Sequence, residues 1–286
     1  VFKVPAFELP QGSRVAKGQA IVNLLQLQPE EFVAAILKAD PEDNKYLFMV
    51  TRNGTVKRTE ITQFENIRRN GLIAQKVPKG DELRWVVATN GTNEVMLLSK
   101  KGKAIRFKEE DVRVMGRSAA GVRGIRLSAG DRVVEAGVID DPKTSKLLIV
   151  MENGLGKMTA VSQYRFQGRG GTGVKAAQLT AKTGEVVGGC ILKDGEDGDL
   201  LCISKQGQAI RMLLSDIPSR GRATQGVIVM RLKAKDKVAT MSVVMQDKEG
   251  KEATLEAAEE QREVEVEVIK KEERKVKRAA KIVKKK

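Results

Sequence analysis

The chain has 286 residues, 41% of them hydrophobic, with 52 Lys and Arg against 37 Asp and Glu, no histidine and a formal net charge of +15. Without histidine there is no imidazole general base and no Ser-His-Asp arrangement, and two cysteines, Cys190 and Cys202, do not make a zinc site, so no metal and no catalytic residue is assigned. No apolar run approaches the roughly 20 residues that span a bilayer, so a cytoplasmic chain without a membrane partner, its two thiols buried in strands, is expected.

Residues 1–31 begin abruptly. VFKVPAFELP alternates as a strand does, and Arg14, Lys17 and Gly18 precede an expected strand at 21–25. The stretch reads as the second half of a unit whose first half is missing, and the chain as a fragment. Four fuller units follow, at 32–80, 81–130, 131–182 and 183–234. Each is expected to open on an apolar strand, at 32–37, 83–88, 133–139 and 186–192. A second strand then leads into a turn at Gly54, Gly102, Gly154 or Gly207, where glycine supplies the positive φ of a tight hairpin.

The returning strand carries basic residues: Lys57 and Arg58, Arg106, Lys157, Arg211. A polar connection reaches a second glycine, Gly71, Gly121, Gly173 or Gly226, and a last apolar strand closes the unit. The third unit shows every part: a strand at 147–151, Asn153 and Gly154 in the turn, QGRGGTG over 167–173, and a strand at 174–179. Strand-like residues 235–245 begin a further, partial unit.

The spacing is regular. Hairpin glycines advance by 48, 52 and 53 residues (54→102→154→207), and second glycines by 53, 50, 52 and 53 (18→71→121→173→226). Repeats of this length with four strands each indicate propeller blades, and a lone blade leaves an apolar face uncovered, so the units must stack. Residues 246–286 differ: nine acidic and three basic residues over 247–267 give way to two acidic and ten basic over 268–286. A charged tail with partly helical, mobile character is expected there. That tail nets +2 and the body +13, so the basic excess belongs to the repeats and points to a polyanion.

Several long stretches resemble the C-terminal β-pinwheel in the larger polypeptide of bacterial DNA gyrase, its GyrA-type chain: ELPQGSRVAKGQAIVNLL, TRNGTVKRTEITQF, GKAIRFKEEDVRVMGRSAAGVRGIRL, NGLGKMTAVSQYRFQGRGGTG and RATQGVIVMRL. The resemblance covers 1–245 and implies an all-β, six-bladed, propeller-like β-pinwheel whose neighbouring blades exchange a strand, with partial blades at 1–31 and 235–245. It implies a DNA-wrapping domain, close to the nucleoid, that acts with the gyrase core of its own polypeptide and with the separate ATPase polypeptide in an A2B2 assembly. Cleavage in that family uses a tyrosine outside this chain, with Mg2+ and ATP; no cofactor is expected in the repeats, where Tyr46 and Tyr164 are structural. The family's basic glycine box lies in the first blade, upstream of Val1. Its nearest match, 167–173, keeps Gln167, Arg169, Gly170, Gly171 and Gly173 but has Gly168 and Thr172 where the family is basic.

Wrapping a duplex needs cations repeated along a curved path and little reading of bases. The candidates are Arg14, Lys17, Arg68, Arg69, Arg117, Arg169, Arg220 and Arg222 before the second glycines, with Arg123 and Lys175 after them. Glycine in these loops lets backbone approach phosphate; the alternative is solvated loop charge with glycines serving only the turn. The hairpin cations could line the DNA path or pair with acids such as Glu60 and Glu109. Aromatics make up only 3% of the chain, against the stacking platforms of a single-strand binder; Trp85 is expected in the core. Two rivals stay open: the equivalent domain of topoisomerase IV, and a propeller that is a protein-interaction platform.

Overall fold

The computed structural model describes residues 1–10, 17–27, 31–38, 44–193 and 195–245. Arg14 and the tail at 246–286, including its possible EVEVEV strand, lie outside the described residues.

The first hairpin is β1 (Tyr46–Thr51) and β2 (Thr55–Glu60), followed by β3 (Leu83–Thr89). The second is β4 (Glu94–Ser99) and β5 (Lys103–Lys108), followed by the short β6 (Val122–Arg123) and by β7 (Val133–Ile139). The third is β8 (Lys146–Met151) and β9 (Leu155–Ala160), followed by β10 (Val174–Lys175) and β11 (Val186–Leu192). The fourth is β12 (Gly198–Ser204) and β13 (Ala209–Leu213), followed by β14 (Val227–Ile228) and β15 (Val238–Met245).

Three sheets of four strands and one of three result, in the orders β3-β1-β2-β6, β10-β5-β4-β7, β11-β8-β9-β14 and β13-β12-β15. All pairings within the sheets are antiparallel.

The grouping differs from the units read off the sequence. The strand expected to open each unit instead pairs with the first strand of the preceding hairpin: β3 with β1, β7 with β4, β11 with β8 and β15 with β12. Each sheet therefore crosses the boundaries at 80/81, 130/131, 182/183 and 234/235. The fourth strand comes from the loop after the next hairpin, β6 on β2, β10 on β5 and β14 on β9. Expected strand 174–179 shortens to two residues, because only Val174 and Lys175 reach a partner edge. Residues 235–245 start no new unit; β15 completes the fourth sheet.

Two further expectations fail near the N-terminus. Residues 21–25 form a 3-10 turn at Ile21–Asn23, and 31–38 have no regular secondary structure. Phe32 is 86% exposed and Ile36 80%: this apolar segment has no hairpin strand beside it.

The central strands read as unbroken apolar runs because both faces are covered, as between propeller blades. Phe48 and Val50 of the first sheet pack with Val95, Leu97, Ile105 and Phe107 of the second. Met96 and Leu98, on the second sheet's other face, meet Leu147, Ile149 and Met151 of the third, which in turn offers Leu148 and Val150 to Leu200 and Cys202 of the fourth. Each such side chain contributes roughly 1.5–3 kcal/mol by burial. Strands β3, β7, β11 and β15 lie side by side in turn. The step between sheets is also marked by one repeated bond, in which the Val133, Val186 and Val238 N–H groups donate to Arg52, Lys100 and Glu152 carbonyls.

Other sequence readings are settled by burial. Cys202 is buried and Cys190 half-buried, both are free, and burial pushes their thiols up, to about 11 and about 12. Tyr164 is buried, and Trp85 packs against the core between the first two sheets. Among the described residues no helix is long and apolar enough to cross a membrane.

Candidate nucleic-acid interface

The candidate residues sit on a series of loops that join each returning strand to the next second glycine. Three of these loops, 115–121, 167–173 and 220–226, are equal in length and are anchored alike. At the start, the Met115, Gln167 and Arg220 N–H groups donate to the carbonyls of Arg58, Arg106 and Met158, at 2.9, 2.9 and 2.8 Å. At the end, the second glycine lies against the returning strand. A Cβ at Gly173 would stand 2.6 Å from the Ala104 oxygen, and one at Gly226 2.4 Å from the Gly156 oxygen, with φ of +70° and +80°. These glycines thus face protein backbone, which answers the alternative posed by the sequence: turn conformation and close packing require them, whatever binds outside.

Successive loops are joined into a continuous band. Five residues after each second glycine an N–H reaches the next loop: Lys76 to the Ala119 oxygen at 3.3 Å, Arg126 to Gly171 at 2.8 Å and Gln178 to Thr224 at 3.0 Å. Arginine side chains repeat the link in the opposite direction. Arg169 donates to the carbonyls of Asp111 at 2.8 Å and Arg123 at 3.4 Å, and Arg222 to Lys175 at 2.5 Å. Both arginines stand four residues before their glycine, as do Arg117 and Arg14. A guanidinium has five N–H donors, so one or two bonds to a carbonyl fix its plane and leave donors for an incoming oxygen.

Most candidates present charge at the surface. Lys17, Arg68, Arg69, Arg123, Arg169, Lys175 and Arg220 are exposed, and Arg117 and Arg222 are half-buried. Arg123 and Lys175, each two residues after a second glycine, lie on β6 and β10, beside the arginine of the next loop. Sequence reasoning missed Lys76, Arg126 and Arg231, all exposed and all five residues after a second glycine. That shared offset was the available signal. Gly18 keeps a positive φ of +66° but has open space around it.

The hairpin cations are placed differently from expectation. Lys57 and Lys157 are fully buried and do not line an outer path. The Lys57 ammonium donates to the carbonyls of Ala74 and Arg117, both at 2.6 Å. That of Lys157 donates to Gly221 at 2.8 Å, to Arg222 at 2.6 Å and to the Thr224 hydroxyl at 3.4 Å. Burial, and then the charge of Arg117 or Arg222, pushes each ammonium down to about 8.

Arg58 and Arg106 are also buried. Arg58 lies 4.7 Å over the Tyr46 ring and 4.0 Å from Glu109, which itself accepts from Thr89 and from the N–H groups of Gly91 and Asn93. Arg106 pairs with Glu94 at 2.6 Å, and Arg211 with Asp199 at 2.5 Å. Of the acids named from the sequence, Glu109 is thus a partner. Among the described residues no cluster of His, Cys, Asp and Glu could hold a metal ion.

Comparison with known proteins gives a consistent result. The chain matches the family described as DNA gyrase C-terminal domain, beta-propeller, over residues 1–40, 45–90, 93–140, 145–189 and 198–245. It is 38% identical over 252 residues to the DNA gyrase A polypeptide of Staphylococcus aureus (strain NCTC 8325 / PS 47), covering 87% of this chain and 28% of that protein. It is 37% identical over 249 residues to the corresponding polypeptide of Staphylococcus epidermidis (strain ATCC 12228 / FDA PCI 1200), covering 86% and 28%. The chain thus spans just over a quarter of the length of these relatives. Among solved structures it is similar to the C-terminal domain of DNA topoisomerase IV, with a TM-score of 0.73 and 28% identity over 84% of this chain and 75% of that one. It is also similar to the DNA gyrase A C-terminal domain, with a TM-score of 0.67 and 31% identity over 80% and 75%.

Proposed function

The chain belongs to the DNA gyrase C-terminal domain family, and on that premise we propose that its band of loops binds the backbone of duplex DNA and bends it around the edge of the stacked sheets. The observation that carries this reading is periodicity of charge on a fixed frame. Basic residues recur four before, two after and five after the second glycine, on loops bonded to one another at equal steps. Cations repeated in this way meet phosphates in succession and have no need to read bases. Within a full gyrase, such a bend would present a DNA crossing to the strand-passage core and its ATPase partner, the A2B2 assembly, and support negative supercoiling at the nucleoid. The repeats themselves supply no step of cleavage, and the Mg2+ and ATP chemistry belongs to the other parts of that enzyme. In a closed ring of six blades the band would run round the whole rim.

A second reading, the equivalent domain of topoisomerase IV, is favoured by the TM-score of 0.73 against 0.67, while sequence identity of 31% against 28% and the curated relatives favour gyrase. Binding of this chain to duplexes of unrelated sequence, measured across salt concentrations, tests the shared part. The expected slope of log K against log salt is steeper than about −3, because each neutralised phosphate contributes about −0.9. Weak binding that ignores salt would leave a protein-interaction platform instead. A linking-number shift in DNA circles closed in the presence of the chain would then separate strong wrapping from binding alone.

A further inference from the structure

The four hairpins hold different residues at one position. Three residues beyond each hairpin glycine stand Lys57, Ile105, Lys157 and Ile210 (54→57, 102→105, 154→157, 207→210). Lys57, Ile105 and Lys157 are fully buried there, beneath the loops at 115–121, 167–173 and 220–226. The fold therefore accepts isoleucine at this seat. A buried ammonium is unfavourable unless its donors are met, and the two lysines meet theirs with oxygens of the loops that carry the candidate arginines.

We propose that Lys57 and Lys157 are positioning residues for duplex DNA, each holding the backbone of a rim loop so that Arg117, or Arg220 and Arg222, is presented to phosphate. The carbonyls gripped are those of Arg117, Gly221 and Arg222 themselves, so the bond fixes the peptide next to the guanidinium-bearing Cα. A loop ordered in advance loses less freedom when DNA arrives. The lysine also places a positive charge directly under the rim, adding to the attraction without occupying the surface. That charge is held at a cost, since burial and the neighbouring arginine both push the ammonium down, to about 8. A phosphate on that arginine relieves the repulsion, so DNA and the buried lysine support each other.

The proposal rests on the DNA-binding reading above, and the test keeps the two apart. Lys57→Ile and Lys157→Ile, singly in the 286-residue chain, copy what Ile105 and Ile210 already do at the equivalent position. Lys157→Met, which keeps the length of the stem, is a second form. Affinity for a long duplex of arbitrary sequence and its salt slope are measured beside thermal unfolding. Each substitution should weaken binding about fivefold at low salt and flatten the slope by up to about one, the share of one phosphate contact.

Arg222→Ala should then add less to Lys157→Ile than it costs in the unsubstituted chain, because the arginine no longer has its seat. Variants that fold and bind like the unsubstituted chain would overturn the proposal, as would strictly multiplicative effects of Lys157→Ile and Arg222→Ala. Failure of both positions to accept either Ile or Met would overturn it too, by making the lysines residues of the fold. Failure of the unsubstituted chain to bind duplex DNA in a salt-dependent way would instead refute the functional reading.

Discussion

The loops at 167–173 and 220–226 occupy the same place on neighbouring sheets, yet they are held down in different ways. Both start from a bond to the returning strand and end on a glycine pressed against it. The first rests on Ile105, whose Cδ1 would stand 3.5 Å from a Cβ at Gly171, and four of its residues are glycine: Gly168, Gly170, Gly171 and Gly173. Its backbone makes the fixing bonds, Gly170 N–H to the Gly124 oxygen at 2.6 Å and the Gly171 oxygen from Arg126 N–H. The second loop holds fewer glycines and is fixed from below by Lys157. One rim geometry is thus reached by close backbone approach in one blade and by a buried cation in the next. The shared frame and the variable seat can be tested separately.

The largest effect is expected where the two regions are alike. Gly173→Ala and Gly226→Ala would each force a Cβ against a strand carbonyl at positive φ. Each should destabilise by about 3 kcal/mol, from left-handed strain and displaced backbone together. Urea unfolding of the two variants reads this directly. A large loss at one glycine and none at the other would show that the two loops do not share a frame.

Next in size are the arginines that link the loops. Arg169→Ala removes bonds to two carbonyls of the preceding loop, and Arg222→Ala a bond to one. If phosphate contact dominates, the two should weaken DNA binding alike, about fivefold, on duplexes of any sequence, with the salt slope reduced by about one each. If the links matter more, Arg169→Ala should also destabilise more, because it leaves two carbonyls without that donor. Titration of both variants at several salt concentrations, with unfolding measured in parallel, separates these outcomes. A changed sequence preference at unchanged slope would remove backbone binding from consideration.

Much of this was legible in the sequence. The two glycine series gave the repeat, because positive φ at a fixed spacing leaves few alternatives to glycine, and the continuous apolar runs gave the buried strands. The assignment of strands to sheets was not legible. Periodicity is unchanged when every unit borrows a strand from its neighbour, so the pairing of β3 with β1 leaves the same sequence pattern as a pairing with β4 would. Burial of Lys57 and Lys157 was hidden for a related reason. Alternation along β2 and β9 puts both on an inward face, but a lysine there reads as surface charge until an acceptor is seen, and the acceptors are carbonyls some 60 residues away. Carbonyl acceptors have no residue signature. Lys76, Arg126 and Arg231 could have been found by extending the offset count beyond the glycine.

The smallest expected effect is also the sharpest probe of the difference between seats, because it touches only the lysine-held loops. The Lys57 and Lys157 ammoniums are lowered from 10.5 to about 8 in the folded chain. Between those values the unfolded chain binds protons that the folded chain does not. These groups therefore make stability rise with pH from about 8 to about 10.5, relative to a chain with isoleucine at both seats. Affinity for DNA should move the other way, since the buried charge beneath the rim is lost as pH passes 8. A twofold to threefold fall between pH 7 and pH 9 is a reasonable scale for two charges partly screened by salt. The comparison is between the unsubstituted chain and Lys57→Ile with Lys157→Ile, so other groups titrating in the window cancel. Bound phosphate favours the charged lysine, so DNA binding near pH 8 should also take up protons, visible as a calorimetric heat that depends on the ionisation enthalpy of the buffer. Proton uptake that persists in the doubly substituted chain would place its source elsewhere and leave the two kinds of seat electrostatically equivalent.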